Sequence, residues 1–591
     1  MKTENRLSAF YVRHEYAVVL GLILSWQISL ISVSNGLFLD TDSYTHALRL
    51  MDFIQSGSWK EILYRHDNCP FGQILHFTRI TDMFLYLTTL PFMPFMELKH
   101  AIMFGGFLYN PVIACLSAAA LIWAGKAFCS PVIRLTGILA YFFILPEISF
   151  LFLAGRPDHH VLLNLFLILL SGCLAYGVKT QKTAYYKTAG LFGGLAVWTS
   201  PEGMLACFFL FAGMVAAWLV KCQNIRQIRL FSQFLFVTTT LCLLINPPMQ
   251  GLFHPDNGRL SILMATLFGF TFLSFRAQEF FERNRYIHSF FGRFFSLSAL
   301  TFFSFGFALL LFDGDVFFSS PISPEIFDIW ASGIKEFLPA DFKTIRPLLF
   351  AFVISLPAFF LATVHLRKLL LINGIPLLLF TLLALISIRF CRLASIYATF
   401  VMIFSVQIFF NKFSFSVFRI TSLLWLVLTT GLVIPHLFTL YKTQFFEQKI
   451  LTPYQETVPY LSKKKGCVLT LNNEGPQTAW EIGEAVIGSP YHTNVDGIID
   501  NYILFNSTDI TSIQKLLKKR NISTIIFHNP EYIIEKHTGS KNYPYAFQKA
   551  VLVEQLLSTD NDLCFLKAVN DIPQKIKEKY FIYHVDFNDC D

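Results

Sequence analysis

Ala154-Gly155-Arg156-Pro157-Asp158-His159-His160 stands between two long apolar runs, about 131–153 and 160–178. Its place between those runs predicts a membrane–water boundary, and ionisable residues are expensive there. A charged side chain at the bilayer centre costs roughly 2.5–3.5 kcal/mol on insertion scales, so groups kept near the membrane point first to a site. An Asp and a His two residues apart offer a carboxylate oxygen and an imidazole nitrogen to one divalent cation. A plainer reading stands beside it: Asp158 caps the next helix and the histidines face lipid headgroups.

The class of protein follows from the apolar runs. The 591 residues are 54% hydrophobic and 16% aromatic, with a mean hydropathy of +0.52. Runs of about 20 apolar residues recur, the length that spans a bilayer as helix. The formal charge of +8 does not indicate nucleic-acid binding, because the basic residues sit in short links between the runs, as the positive-inside bias requires. The eleven cysteines are scattered and form no CxxC pair, which supports neither a zinc site nor a disulfide framework. The first apolar run, about 15–36, lacks a small-residue cleavage site and reads as a retained helix with a cytoplasmic N-terminus.

From this first run the chain enters a mixed outer loop, 37–100, that begins Leu39-Asp40-Thr41-Asp42. Its short apolar piece, 83–96, contains Pro91 and Pro94 and reads as interfacial or re-entrant. If that piece does not cross, Asp158-His159-His160 emerges on the same side as Asp40 and Asp42, and the basic links near Lys126–Arg134 and Lys179–Lys187 both fall inside. Further spans are expected at 101–125, 187–199, 203–221, 229–247, 259–275, 289–312, 346–364, 368–388, 393–411 and 418–440, giving about 13 transmembrane helices and an outer C-terminus. The first domain is therefore 1–440, with a long outer loop at 313–345. Residues 441–591 have the composition of a soluble α/β domain: Val468–Leu471 and Ser523–Phe527 read as strands, 509–520 and 545–557 as helices.

Four groups then share the outer face. They are Asp40 and Asp42; Arg156, Asp158, His159 and His160; Asp315, Glu325 and Glu336 of the long loop; and Arg389 and Arg392 at the end of a span. Carboxylates with a histidine can hold a divalent cation, and arginines can clamp a phosphate through paired N–H donors. Together they suit chemistry in which a phosphate departs, and a membrane setting suggests a phosphate carried on lipid. The plainer alternatives are that Asp40 and Asp42 cap a short helix, that the arginines snorkel to headgroups, that Glu336 lies on a solvated helix face, and that Tyr491-His492-Thr493-Asn494 is a turn.

This pattern resembles the GT-C membrane glycosyltransferases, and among them the catalytic subunit of oligosaccharyltransferase. Gly155-Arg156-Pro157-Asp158-His159-His160 is similar to the family's G-x-x-D-H-H metal motif, Asp42 followed by Tyr44, His46 and Arg49 to its first-loop motif, and Gly333–Pro339 loosely to its S-x-x-E motif. The resemblance implies a polytopic α-helical membrane fold of the GT-C kind. It implies Asp42, Asp158 and His160 as ligands of Mg²⁺ or Mn²⁺, Asp42 and Glu336 as catalytic carboxylates, and Arg392 or Arg389 on the donor phosphate. The donor would be a sugar or oligosaccharide on a polyprenyl (di)phosphate, used on the periplasmic face of a bacterial inner membrane. The family's acceptor-reading WWDYG motif is missing; Thr478-Ala479-Trp480-Glu481-Ile482-Gly483 stands in its place, so the acceptor is open among a protein site, a lipid and a glycan. The rival readings are transfer from a polyprenyl monophosphate sugar, a transporter or flippase, and an inactive scaffold of the same fold.

Overall fold

The computed structural model describes residues 2–31, 36–143, 146–287, 289–318, 320, 322–330, 334–412, 454–528, 550–557, 563–588 and 590. The expected span 418–440 and the domain boundary at 440/441 lie outside them.

The chain begins with α1 (Lys2–Ile31), which bends at His14. A loop then carries α2 (Thr41–Ser56) and α3 (Arg79–Thr89). The helical body comprises α4 (Leu98–Gly125), α5 (Pro131–Phe143), α6 (Pro146–Leu151), α7 (His159–Thr180), α8 (Thr183–Thr199), α9 (Pro201–Leu219), α10 (Ile225–Ile245), α11 (Ile262–Arg283) and α12 (Phe290–Leu311). Two short helices, α13 (Gly314–Phe318) and α14 (Pro324–Phe327), lead to α15 (Phe342–Leu361), α16 (Val364–Ala384) and α17 (Phe390–Lys412).

Among the described residues eight helices are long and apolar enough to cross a membrane: α4, α7, α9, α10, α12, α15, α16 and α17. The chain is a multi-pass membrane protein. The other expected spans that the structure describes are helices as well, though shorter, more charged or bent. At 1.5 Å per residue, the 13 residues of α5 and the 17 of α8 reach only about 20 and 26 Å, short of a hydrocarbon core of about 30 Å. α11 carries Arg276, Glu279, Glu282 and Arg283 in its last turns, and α1 is bent. α7 is the central helix: Val161, Leu162, Leu167, Ile168 and Leu170 are fully buried, with α4 on one side and α8 on another. α12 lies at the edge against α11 and leaves Phe291, Phe295, Phe302 and Phe303 exposed, a face suited to lipid.

The ends of the helices define two faces. Glu15 of α1 pairs with Arg134 at 2.7 Å and with Lys126 at 3.8 Å, so the start of α1 and the α4–α5 link share one face. At the other, the Leu39 amide donates to the Gly155 carbonyl (3.1 Å). Since α4 runs from that second face back to Glu15, the intervening α2 and α3 do not cross, as expected for 83–96. They are held instead by Asp82, which accepts from Arg49 (2.8 Å) and Arg79 (3.0 Å), and by Glu61, whose partner Arg259 (2.5 and 2.7 Å) precedes α11.

The C-terminal domain is a small mixed sheet with helices. Its strands β1 (Cys467–Leu469), β2 (Ile522–His528), β3 (Leu566–Ala568) and β4 (Tyr580–Val585) lie in the order β1-β2-β4-β3. β1 and β2 are parallel and the other pairs antiparallel. Both expected strands are present, and Asp509 caps the helix Ile510–Lys519. Of the helix expected at 545–557, Val551–Leu557 is seen; 545–549 lie outside the described residues.

The cysteine reading needs correction. Cys69 is bonded to Cys467 across 398 residues, and Cys564 to Cys590. Such pairing is set by the fold and leaves no trace in local spacing. The first bond fastens the outer loop to the C-terminal domain, and polar contacts surround it: Asp67 accepts from Asn494 (2.7 Å) and from Ser489, while Arg520 donates to the Asn68 side chain (2.7 Å) and the Cys69 carbonyl (3.1 Å). Replacing Cys69 and Cys467 together by serine is expected to destabilise the protein by about 2–4 kcal/mol. Thermal unfolding of the detergent-solubilised protein checks this; an unchanged midpoint contradicts it.

Candidate functional site

The second outer loop is buried although it is not helical, so its backbone needs partners. Asn110 of α4 donates to the carbonyls of Leu151 (3.0 Å) and Leu153 (2.7 Å), and Gln27 of α1 to that of Phe152 (2.9 Å). Gly155 then takes φ +80°, and a Cβ there would lie 2.5 Å from the Phe107 ring. Only glycine fits both the angle and the space. Its carbonyl receives Leu39, which fixes the two loops side by side one residue before Asp40 and Arg156.

Both carboxylates that follow are helix caps. Asp40 accepts from the Ser43 amide (2.9 Å) at the start of α2, and Asp158 from the His160 amide (3.0 Å) at the start of α7. Two helix N-termini thus converge, and their partial positive charges favour anions there. The capping reading of Asp158 is correct, and it does not exclude the other, because a carboxylate has a second oxygen. Asp158 is fully buried, and its Oδ2 has no hydrogen-bond partner.

Oxygens of Asp40, Asp42 and Asp158 lie within 4.8 Å of one another, and so do ligand atoms of Asp158, His159 and His160. Asp158 is common to both groups. Asp42 and His160 each come within reach of it, in separate groups. Burial, then the neighbouring Asp40 and Asp158, push the Asp42 carboxyl up to about 7. Burial would also raise Asp158, but His160, His159 and Arg156 hold it well below the usual carboxylate range.

The long outer loop closes the site from the side. Ser387 donates to the Glu336 carbonyl (2.7 Å), and the Glu336 carboxylate pairs with Arg392 at the start of α17. Arg389 pairs with Glu202 in the first turn of α9. His160, Asn164, Glu202, Arg389 and Arg392 line one small pocket, so His160 links the carboxylates to the arginines. The Nε and one terminal nitrogen of Arg392 are buried without an acceptor. Asp315 and Glu325 are exposed and belong to neither group.

Two participants were not evident in the sequence. Glu202 reads as a first-turn acid, and nothing local pairs it with a residue 187 positions away. Tyr491 reads as part of a turn, yet it is buried, with its hydroxyl 2.7 Å from Thr45 Oγ1, one turn of α2 from Asp42. The C-terminal domain thereby reaches the outer end of α2.

The donor set suits a divalent cation. Asp40, Asp42, Asp158 and Glu336 supply four carboxylates, and Arg156 and Arg392 two guanidiniums, so negative charge remains; carboxylate with imidazole matches Mn²⁺ or Mg²⁺.

Comparison with known proteins places the fold. No profile of a known family matches the sequence, and no curated protein does. In three dimensions the chain shares the fold of the GT-C membrane glycosyltransferases. The Archaeoglobus fulgidus oligosaccharyltransferase AglB, with an inhibitory peptide and a dolichol-phosphate, aligns at a TM-score of 0.68 and 12% identity over 88% of this chain and 70% of that one. The same enzyme tethered to an acceptor peptide gives 0.64 at 13% identity over 88% and 69%. Its complex with Zn and sulfate gives 0.60 at 13% identity over 86% and 68%.

Asp158→Asn keeps a good helix cap and removes the charge shared by both groups. It is expected to leave the protein folded and to abolish saturable Mn²⁺ binding by calorimetry; binding at the affinity of the unsubstituted protein contradicts the assignment.

Proposed function

We propose that this protein is a GT-C glycosyltransferase that moves a sugar or oligosaccharide from a polyprenyl (di)phosphate to an acceptor on the periplasmic face of a bacterial inner membrane. The observation that carries the reading is the meeting of Asp42 and Asp158, from loops more than a hundred residues apart, beside a cavity lined by His160, Arg389 and Arg392.

Asp42, Asp158 and His160 are the residues that would hold Mg²⁺ or Mn²⁺. Bound there, the ion offsets charge developing on the departing phosphate. Arg389 and Arg392 grip that phosphate from the cavity, and the unpartnered N–H groups of Arg392 are suited to its oxygens. Glu336, through its pair with Arg392, holds that guanidinium in place and faces the acceptor together with Asp42. The acceptor nucleophile attacks the anomeric carbon, the bond from that carbon to the phosphate oxygen breaks, and the nucleophile's proton passes to a carboxylate. The C-terminal domain, which lacks WWDYG, meets the site through Tyr491 and selects an acceptor by other means.

The disulfides support the orientation. Cys69, Cys467, Cys564 and Cys590 lie in the outer loop and the C-terminal domain, whereas Cys115, Cys173, Cys207, Cys242 and Cys391, on membrane helices, form no disulfide. Disulfides form in oxidising compartments such as the periplasm. On this reading the N-terminus lies in the cytoplasm and the C-terminal domain outside.

In membranes supplied with a labelled polyprenyl-linked sugar, metal-dependent transfer is expected. Chelation, Asp42→Asn or Asp158→Asn should each lower it by at least 10²-fold, on the scale of losing one electrostatic element of such a site. Arg392→Ala should raise KM for the donor as well as lower kcat. Undiminished transfer by Asp158→Asn in chelator contradicts the proposal.

A further inference from the structure

Within the carboxylate cluster the protein already supplies a cation. Arg156 Nε donates to Asp40 Oδ2, and a terminal nitrogen of Arg156 lies 3.5 Å from Asp158 Oδ2. The guanidinium rests on the Phe150 ring at 4.4 Å, and the residue is only 4% exposed. Pro157 after it restricts its backbone to extended conformations. Asp40 is fully engaged as a result: one oxygen caps α2 at Ser43, and the other takes Arg156. Among the described residues Asp42 has no such pairing with Arg or Lys.

From this geometry we infer that Arg156 is the resident counter-ion of the cluster and a positioning residue for its cation site. It takes Asp40 out of the contest for a divalent ion and leaves that ion to Asp42 and Asp158. It also weakens the site, because a guanidinium in contact with Asp158 repels an arriving cation in a space that water screens poorly. Without a divalent ion, Arg156 keeps the buried carboxylates from repelling one another apart. The inference rests on the cation site of the proposed function and concerns its strength and membership.

The two roles make opposite demands, which gives a test that packing alone would not satisfy. Arg156→Gln removes the charge and keeps a planar side chain with a donor. In the full-length protein in detergent, measured without added metal, it should lower the thermal midpoint. In calorimetry with Mn²⁺ it should tighten Kd by about tenfold or more, from Coulomb attraction no longer opposed at short range, and Mn²⁺ should restore the midpoint. Arg156→Lys keeps the charge and should bind Mn²⁺ within a few-fold of the unsubstituted protein. Equal or weaker Mn²⁺ binding by Arg156→Gln overturns the inference and leaves the proposed function standing. Binding by Arg156→Gln where the unsubstituted protein binds none supports the inference and contradicts the metal-assisted reaction. Should Arg156→Gln not fold, Asp40→Asn decides: saturable Mn²⁺ binding supports the exclusion of Asp40, and complete loss overturns it.

Discussion

Several carboxylates share a partly dehydrated space at the outer end of the bundle, and that cost organises the architecture around them. A buried charge is tolerated only when it is paired and hydrogen-bonded. Here the compensation comes from the N-termini of α2 and α7 and the guanidiniums of Arg156 and Arg392, and the proposed divalent ion would meet the demand that remains. Each source comes from a different part of the chain. The loop 152–158 must therefore stay rigid and buried without helical hydrogen bonds, and Asn110, Gln27 and the Leu39 amide hold its carbonyls.

The outer loop and the C-terminal domain add a roof to this arrangement. Asp82 and Glu61 anchor α2 and α3 through buried ion pairs, so α2 is fixed from below while Tyr491 touches it from above. The Cys69–Cys467 bond and the contacts of Asp67 and Arg520 then tie the roof down. This side of the site is accordingly built from two parts of the chain that are remote in sequence. A shared fold with AglB at 12% identity fits this picture: helix packing and loop placement are retained while most side chains differ.

Much of the site was legible because charge at the edge of an apolar run is costly, and Asp158-His159-His160 carries that cost openly. Asp42, Glu336, Arg389 and Arg392 were legible for the same reason, as charges at the ends of spans on one face. What each one pairs with was not. The partners Arg156 and Asp40 are 116 residues apart, Tyr491 and Thr45 are 446 apart, and no periodicity encodes such contacts. The span count was legible in part. An apolar run states what a segment tolerates, and α5, α8 and α11 are helices shorter or more charged than the eight long ones. The cysteines were misread because a bond between residues 398 apart is a product of the fold.

The central claim is that one cation is shared by loops from opposite ends of the first third of the chain. Anomalous scattering from crystals of the full-length protein soaked in Mn²⁺ tests it most directly. The account predicts a peak at about 2.0–2.3 Å from carboxylate oxygens of both Asp42 and Asp158, within the range of oxygen–metal bonds. A peak bound to one loop alone, or an empty cluster at saturating Mn²⁺, would contradict it.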